Sequence, residues 1–352
     1  MIATLAAIGR DVIAHKLCGR RKPLVLSISV TSRCNLRCSY CYSAEDNLNA
    51  RDVSADEICQ TMAAFYELGT RVIMLQGGEP LLHPEIDRII SFVKKKGMYC
   101  AVTTNGSFVP DHLESLKKVD QVQLSIDGNR EVTDSNRGAG VYDGVVRAMD
   151  VCSLHQIPFH LHAVLTNRST RENTLIPLLE LADRYSADIN FCFPNPTGAA
   201  EGKAVAMGGH LVEFYKMLLE EKKKNTKINN TRRGIADIID WVAANPCGGY
   251  IRKDDNNSAA YPECVMGNLV CWLDSEGQLH PCAVRYGQDG FSHSIKDNGV
   301  KEAWQKLADK PCRYCANSTE FNQLFTLRGE AVLNSLRFLS RKTLSFSKSV
   351  EK

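Results

Sequence analysis

Cys34, Cys38 and Cys41 stand in a C-x3-C-x2-C spacing directly after the apolar, β-branched run that ends at Ser32. With 14 cysteines in 352 residues, chance supplies such a spacing roughly 0.02 times per chain. An odd trio in one loop cannot pair off internally as disulfides. Structural zinc takes four ligands, and this loop offers three thiols and no nearby His. An iron–sulfur cubane also prefers four cysteines; three leave one iron open to bind a substrate or cosubstrate. A second feature follows the next apolar run, Arg71-Val72-Ile73-Met74-Leu75: the turn Gln76-Gly77-Gly78-Glu79-Pro80. Glycines at 77 and 78 remove the Cβ atoms that keep a ligand away from the backbone.

The trio, with the aromatic Tyr40 before its last cysteine, resembles the signature loop of the radical S-adenosylmethionine (SAM) enzymes. Gln76–Pro80 resembles that family's glycine-rich SAM-binding turn. The resemblance implies a [4Fe–4S] cluster on Cys34, Cys38 and Cys41, whose open iron chelates the amino and carboxylate groups of SAM. It further implies SAM cleavage to methionine and a 5′-deoxyadenosyl radical that takes a hydrogen atom from a substrate. A flavodoxin or ferredoxin is the expected reductant. Tyr40, Gly77, Gly78, Glu79, Asn105, Ser125, Asp127 and Arg137 are the expected SAM-side residues. Within that set, Ser125 and Asp127 are assigned to ribose hydroxyls. Arg137, in a loop Asn136-Arg137-Gly138, is assigned to the SAM carboxylate, which a guanidinium suits through paired hydrogen bonds.

A second thiol set lies downstream. Cys264 and Cys282 bracket Gly277 in a C-x12-G-x4-C pattern, and Cys312-Arg313-Tyr314-Cys315 adds a C-x2-C. Leu273–Leu279 has the character of a hairpin turn in which Gly277 supplies a positive φ. This order resembles the shortened, "twitch" form of the SPASM extension, which implies one auxiliary [4Fe–4S] cluster on Cys264, Cys282, Cys312 and Cys315. A structural zinc is the rival reading of the same four thiols. A fully ligated cluster is suited to accepting an electron, hence to a net oxidation: dehydrogenation or bond formation. Two other readings stay open, a peptide-modifying maturase building a thioether or C–C crosslink and a non-catalytic iron–sulfur scaffold. Cys247 and Cys271 are spare thiols not expected to be ligands. Cys18, Cys59, Cys100, Cys152 and Cys192 sit in apolar patterns as core residues. His160, His162, Asn195, Arg285 and Tyr286 are candidates to line the site.

Composition narrows the setting. Hydrophobic residues at 44% and charged ones at 24% describe an ordinary globular chain. Fourteen cysteines without a secretion signal point to a reducing cytoplasm. The net charge of +3 is uneven: residues 1–24 and 324–352 carry +4 each, leaving −5 between them. Two basic, amphipathic ends would let the protein sit peripherally on anionic lipid, so a small-molecule, lipid-linked or peptide substrate is expected. No nucleic acid is: Lys222-Lys223-Lys224 lacks interleaved aromatics and has the character of a solvated face.

These residues need elements to hold them. From Leu24 the pattern alternates strand and helix: strands at 24–30, 71–75, 99–103, 121–125, 159–165 and 188–193. Helices are expected at 54–69 (capped by Ser54), 84–96, 111–118, 141–155 and 170–185. The stretch 129–140 is expected as polar loop. Six β/α repeats argue for an α/β chain with a partial (β/α)6 TIM-like barrel and a small C-terminal hairpin-plus-helix extension. The expected organisation is an amphipathic helix in 1–23, the barrel in 24–200, a connecting helical segment in 201–260 with a helix at 211–223, the cluster extension in 261–320 and a basic tail in 321–352. In parallel β/α folds chemistry sits at strand C-terminal ends, where the cysteine loop, Gly77–Glu79, Thr104-Asn105, Ser125, Asp127 and Thr166-Asn167 all fall.

Overall fold

The computed structural model describes residues 2–42, 52–171, 174–194, 209–244, 251–253, 263–286, 288, 290–307, 312–315 and 325. Asn195, Cys247 and most of the 321–352 tail lie outside the described residues. In chain order the elements are α1 (Ile2–Cys18), β1 (Val25–Thr31), α2 (Ala55–Leu68), β2 (Val72–Gly77), α3 (Ile86–Lys95), β3 (Tyr99–Thr104), α4 (Leu113–Leu116) and β4 (Gln121–Ser125). There follow α5 (Arg130–Arg137), α6 (Val141–Leu154), β5 (Phe159–Val164), α7 (Asn167–Arg171), α8 (Leu175–Arg184), β6 (Asp188–Cys192), α9 (Gly209–Lys224) and α10 (Arg232–Ala244). The last are β7 (Ile251–Lys253), β8 (Val270–Leu273), β9 (Gln278–His280), β10 (His293–Ser294), α11 (Ile295–Lys306) and β11 (Cys312–Cys315). The chain is α/β, with its long strands parallel and a C-terminal antiparallel hairpin.

The chain divides into two compact units. In the first, comprising 1–123, 195–201 and 265–310, the strand order is β10-β9-β8-β1-β2-β3-β4. β1, β2 and β3 pair in parallel with unbroken register over their first four residues. Alternate residues Leu26, Ile28 and Val30 on β1, and Ile73 and Leu75 on β2, are buried with Met62 and Phe65 of α2 and Ile89, Ile90 and Val93 of α3. That is the period-2 and period-3.6 matching the repeats demand. Ser54 caps α2 by accepting from the Glu57 amide at 3.2 Å, and Gly69 ends the helix at φ 113°. The hairpin is no free-standing appendage: β8 pairs in parallel with β1, Val25 opposite Val270, so the C-terminal extension widens the same sheet. Gly277 turns that hairpin at φ 85°. Ahead of β1, Lys22 holds the buried Asp11 of α1 at 2.6 Å, and Arg21 donates to the Gly267 and Trp304 carbonyls.

The second unit, 124–194, 202–264 and 311–352, carries the parallel pair β5-β6 and a separate antiparallel pair, β7 with β11. Ile189 and Phe191 face outward to the helices, Phe191 meeting Phe214 of α9 edge-on at 5.6 Å. His160, His162, Asn190 and Cys192 share the other face, because β5 and β6 pair in register and side chains alternate. The stretch 201–260, expected as a helical connector, holds two long helices, α9 and α10. Two expectations change here. The stretch 129–140 contains α5, capped by Asn129 accepting from the Val132 amide at 3.0 Å. Lys222 is buried and donates to the Ile228 carbonyl at 2.5 Å, while Lys223 and Lys224 stay exposed, so the basic run is not wholly a solvated face. Among the described residues no helix is long and apolar enough to cross a membrane.

Candidate active site

The first three strand ends build one corner of the first unit. As β1 ends, the Thr31 hydroxyl donates to Asp52 at 2.8 Å and accepts the Arg33 amide at 3.0 Å. The cysteine loop then begins. Cys34, Cys38 and Cys41 are each half-buried, and Tyr40 is buried. The loop closes on itself where the Cys41 amide donates to the Cys38 carbonyl at 3.1 Å. Burial pushes the Cys34 thiol up to about 11, with the charges of Glu79 and Cys41 adding to the effect. Iron would overcome that penalty and release the protons, since a coordinated thiol is deprotonated outright.

The glycine turn clamps this loop. The Gly78 amide donates to the Thr31 carbonyl at 2.9 Å and the Glu79 amide to the Arg33 carbonyl at 2.7 Å. A Cβ on Gly77 would lie 2.2 Å from the Thr31 oxygen, and one on Gly78 would lie 2.1 Å from the Arg33 oxygen. Gly77 also holds φ 137°, a conformation side-chain-bearing residues rarely adopt. Both glycines are therefore required by the packing of the turn on the cysteine loop. Glu79 is fully buried and turns inward. It accepts from the Leu81 amide at 3.2 Å, the Thr104 hydroxyl at 2.7 Å and the Asn105 amide at 2.8 Å. Burial pushes its carboxyl up to about 7, those donors pulling the other way. Asn105 donates to Asn35 of the cysteine loop at 2.8 Å. Thus Cys34–Cys41, Gly77–Glu79 and Asn105 are brought together. Three part-exposed thiols lie on a backbone fixed from two sides; their number and type suit an iron–sulfur cluster with one open iron, while among the described residues no side chains are yet gathered into a metal-holding group.

Opposite β1 from that turn, the hairpin adds aromatic groups. Tyr42, next to Cys41, meets Trp272 of β8 and Tyr286 edge-on at 5.9 and 5.7 Å. Trp272, His280 and Tyr286 in turn lie within 5.0–5.6 Å of one another. Cys282, two residues past β9 and half-buried, sits beside this group in sequence. Cys271 is fully buried on β8, its thiol 4.0 Å from the Val25 carbonyl and its pKa raised by burial. It fills the sheet. Sequence reasoning named Arg285 and Tyr286 but missed Tyr42, Trp272 and His280; the only available signal was an aromatic directly after Cys41.

In the second unit Asp127 and Arg137 are each other's partners. The guanidinium makes a two-pronged pair, Nη2 to Oδ1 at 2.7 Å and Nε to Oδ2 at 3.0 Å, with both side chains buried. Arg137 ends α5 instead of occupying a loop. Ser125 is half-buried at the end of β4. On the β5–β6 face, His162 lies 2.6 Å from the Asn190 amide nitrogen and 3.0 Å from Cys192 Sγ. Burial lowers the His160 pKa to about 3 and raises that of Cys192 to about 12. Cys264 and Cys315 are buried in this unit, and Cys312 and Cys315 bound β11, opposite Lys253 and Ile251 of β7.

Comparison with known proteins gives one answer at the level of family. The model of the radical SAM superfamily matches residues 28–175. Fe-coproporphyrin III synthase of Methanosarcina barkeri is 30% identical over 355 residues, covering 90% of this chain and 86% of that protein. GTP 3′,8-cyclase of Clostridium acetobutylicum is 35% identical over 273 residues, 73% of this chain and 80% of that protein. Among solved structures, anSMEcpe with bound AdoMet has a TM-score of 0.62 at 17% identity, covering 91% of this chain and 98% of that one. Streptococcus suis SuiB bound to precursor peptide SuiA has a TM-score of 0.64 at 16% identity, covering 88% and 70%. These likenesses show the partial-barrel fold with its hairpin extension, and on the relatives' evidence the chain belongs to the radical SAM superfamily.

Proposed function

We propose that this radical SAM enzyme couples hydrogen abstraction to a net oxidation of its substrate, dehydrogenation or bond formation, with one auxiliary [4Fe–4S] cluster on Cys264, Cys282, Cys312 and Cys315. The observation that carries the reading is that Cys282 closes a hairpin whose Trp272 meets Tyr42, the neighbour of Cys41. A second thiol thus lies in the same unit as the cysteine loop, on an element built onto the strand that delivers that loop.

When bound, the cluster would supply the electron for reductive cleavage of SAM, the chemistry that generates a hydrogen-abstracting radical. The chain's own residues prepare for this. Cys34, Cys38 and Cys41 would hold the cluster, with the buried Tyr40 directly before the last of them. Gly77 and Gly78 let the turn close on the cysteine loop, and that turn is assigned to the SAM amino group, while Glu79 keeps it in place through Thr104 and Asn105. Ser125 is assigned to the ribose by its motif position, and Arg137, oriented by Asp127, to the SAM side. The barrel is assigned to 24–200 and the cluster extension to 261–320, with a flavodoxin or ferredoxin as donor. Peripheral contact with anionic lipid is proposed through α1, where Ile13 and Leu17 are exposed one turn apart beside Lys16. Equal liposome binding by Leu17→Asp and the parent protein would remove that last assignment.

The test is anaerobic. After reconstitution with iron and sulfide, the protein is reduced, given SAM and assayed for 5′-deoxyadenosine. Product is expected from the parent chain and not from Cys38→Ala. Iron content is expected near about eight per chain, falling to about four in Cys282→Ala. Full iron with no 5′-deoxyadenosine overturns the catalytic reading; unchanged iron in Cys282→Ala overturns the auxiliary cluster.

A further inference from the structure

Arg285 is an unusual side chain. It is buried, at 5% exposure, at the end of a short 3-10 turn, Ala283–Arg285, that begins right after Cys282. Its guanidinium plane is fixed from two directions. Nη1 donates to Gln288 Oε1 at 2.7 Å, and the carbon centre lies over the Phe291 ring at 4.2 Å. The remaining edge, Nε with Nη2, is buried and has no hydrogen-bond partner among the described residues. That edge is the one an arginine uses to grip a planar oxyanion with two parallel hydrogen bonds.

The same corner holds two more buried polar atoms without partners among the described residues, Trp272 Nε1 and His280 Nδ1. Both residues are nine-tenths buried or more. His280 is locked by its other nitrogen, which lies 2.8 Å from the Asp274 carboxylate. Both rings pack on Tyr286, the residue after Arg285, and that of Trp272 also meets Tyr42 of the cysteine loop. Buried polar groups are almost always hydrogen-bonded in folded proteins, so a cluster of unpaired ones calls for an explanation in what the site takes up.

We infer that this corner is an anchoring site for a carboxylate on the substrate, gripped by the Nε–Nη2 edge of Arg285, with Trp272 and Tyr286 packing against the adjoining carbon skeleton. A carboxylate fits better than a phosphate. The corner supplies one full positive charge, and Asp274 stands behind His280, so a monoanion balances the site and a dianion does not. Tyr42 ties the anchored group to the cysteine loop, where hydrogen abstraction takes place. The inference rests on the proposed function for its role in turnover, but binding itself is measured without SAM cleavage.

The experiment is equilibrium dialysis on the anaerobically reconstituted holoenzyme with 2-naphthoate, its neutral analogue 2-naphthamide, and 2-naphthyl phosphate. 2-Naphthoate is expected to bind at least tenfold more tightly than either of the others. Arg285→Gln should lose at least tenfold in naphthoate affinity and leave the amide unchanged. Arg285→Lys, which keeps the charge and loses the paired edge, should lose affinity while retaining the parent's iron content, and so separates recognition from folding. Equal binding of acid and amide, preference for the phosphate, no naphthoate binding by the parent, or full affinity in the lysine variant would each overturn the site. If instead the Arg285 variants bind naphthoate normally but shift the midpoint potential of the iron–sulfur signal, the free edge belongs to a cluster and the substrate assignment fails.

Discussion

The corner around the cysteine loop, in the first unit, and the polar face of β5–β6, in the second, are held in different ways. The first is fixed mainly by backbone: Gly78 and Glu79 amides on the carbonyls of Thr31 and Arg33, with glycines where any Cβ would collide. The second unit is fixed by side chains, above all the buried Asp127–Arg137 pair and the His162 array with Asn190 and Cys192. A backbone clamp has no rotamers to lose and does not titrate, which suits a loop whose three thiols must stay in one geometry. A charged pair is stronger per contact but makes each partner depend on the other, because either charge left alone in the interior is costly.

The contrast is broken most severely at Gly78. Gly78→Ala sets a Cβ against backbone oxygen, and neither partner is a flexible side-chain end that can swing away. The expected outcome is loss of at least half the iron and a fall in 5′-deoxyadenosine formation of about a hundredfold, the scale a ~1 Å displacement of a reacting group produces. Iron analysis beside the product assay checks it; a variant with parent-like values in both would show that the turn yields. Asp127→Asn comes next. It keeps the shape and strands the Arg137 charge, so unfolding free energy should fall by about 3–5 kcal/mol, measured by urea denaturation of the apo-protein.

What was legible in the sequence follows the same divide. Motifs whose parts lie within a few residues of each other were readable: the thiol spacing, the Gly-Gly turn, the Ser54 cap and the Gly277 hairpin each act through local geometry. The six strands were placed to within a residue or two because alternation is written into each segment. Features that join distant residues were not. Nothing in Val270–Leu273 announces that it will pair with Val25–Ile28, and Tyr42 and Trp272 are 230 positions apart. Asp127 and Arg137 were each picked out as a ligand site, and each turned out to be the other's counter-ion, since motif position says nothing about which charge will answer which. Helix α5 was missed because its polar residues conceal a short amphipathic stretch in which only Val132, Thr133, Asn136 and Arg137 are buried.

Glu79 gives a prediction of intermediate size that sharpens the comparison by pH. Its carboxyl is raised to about 7 in the folded chain from an ordinary 4.5. Between those values the folded state holds a proton that the unfolded state has lost, so this contribution to stability is full below about pH 4.5 and disappears as pH rises through about 7. The change is ~3 kcal/mol at most. His160 titrates in the opposite sense and is common to both proteins compared, so it cancels. Glu79→Gln should be less stable than the parent at pH 5, because its amide nitrogen faces the Asn105 amide, and the gap should narrow steadily toward pH 8. A gap independent of pH would mean that Glu79 is ionised throughout.

The smallest effect is expected from a pair of the same chemistry on the surface of the same unit. Arg168 and Glu131 meet at 3.3 Å, but with 43% and 73% of their side chains exposed, against 6% and 0% for Arg137 and Asp127. Water solvates each of the exposed charges nearly as well as its partner does, and holding two long side chains in one geometry costs entropy. Glu131→Gln should therefore lower stability by no more than about 0.5 kcal/mol, and that difference should vanish in about 0.5 M salt, where screening acts over a few ångströms. The Asp127→Asn loss should survive the same salt, since counter-ions cannot enter the buried pair. Urea denaturation of both variants at low and high salt decides the matter. If the two losses respond to salt alike, burial is not what separates the pairs, and the second unit is held together by something other than its interior charges.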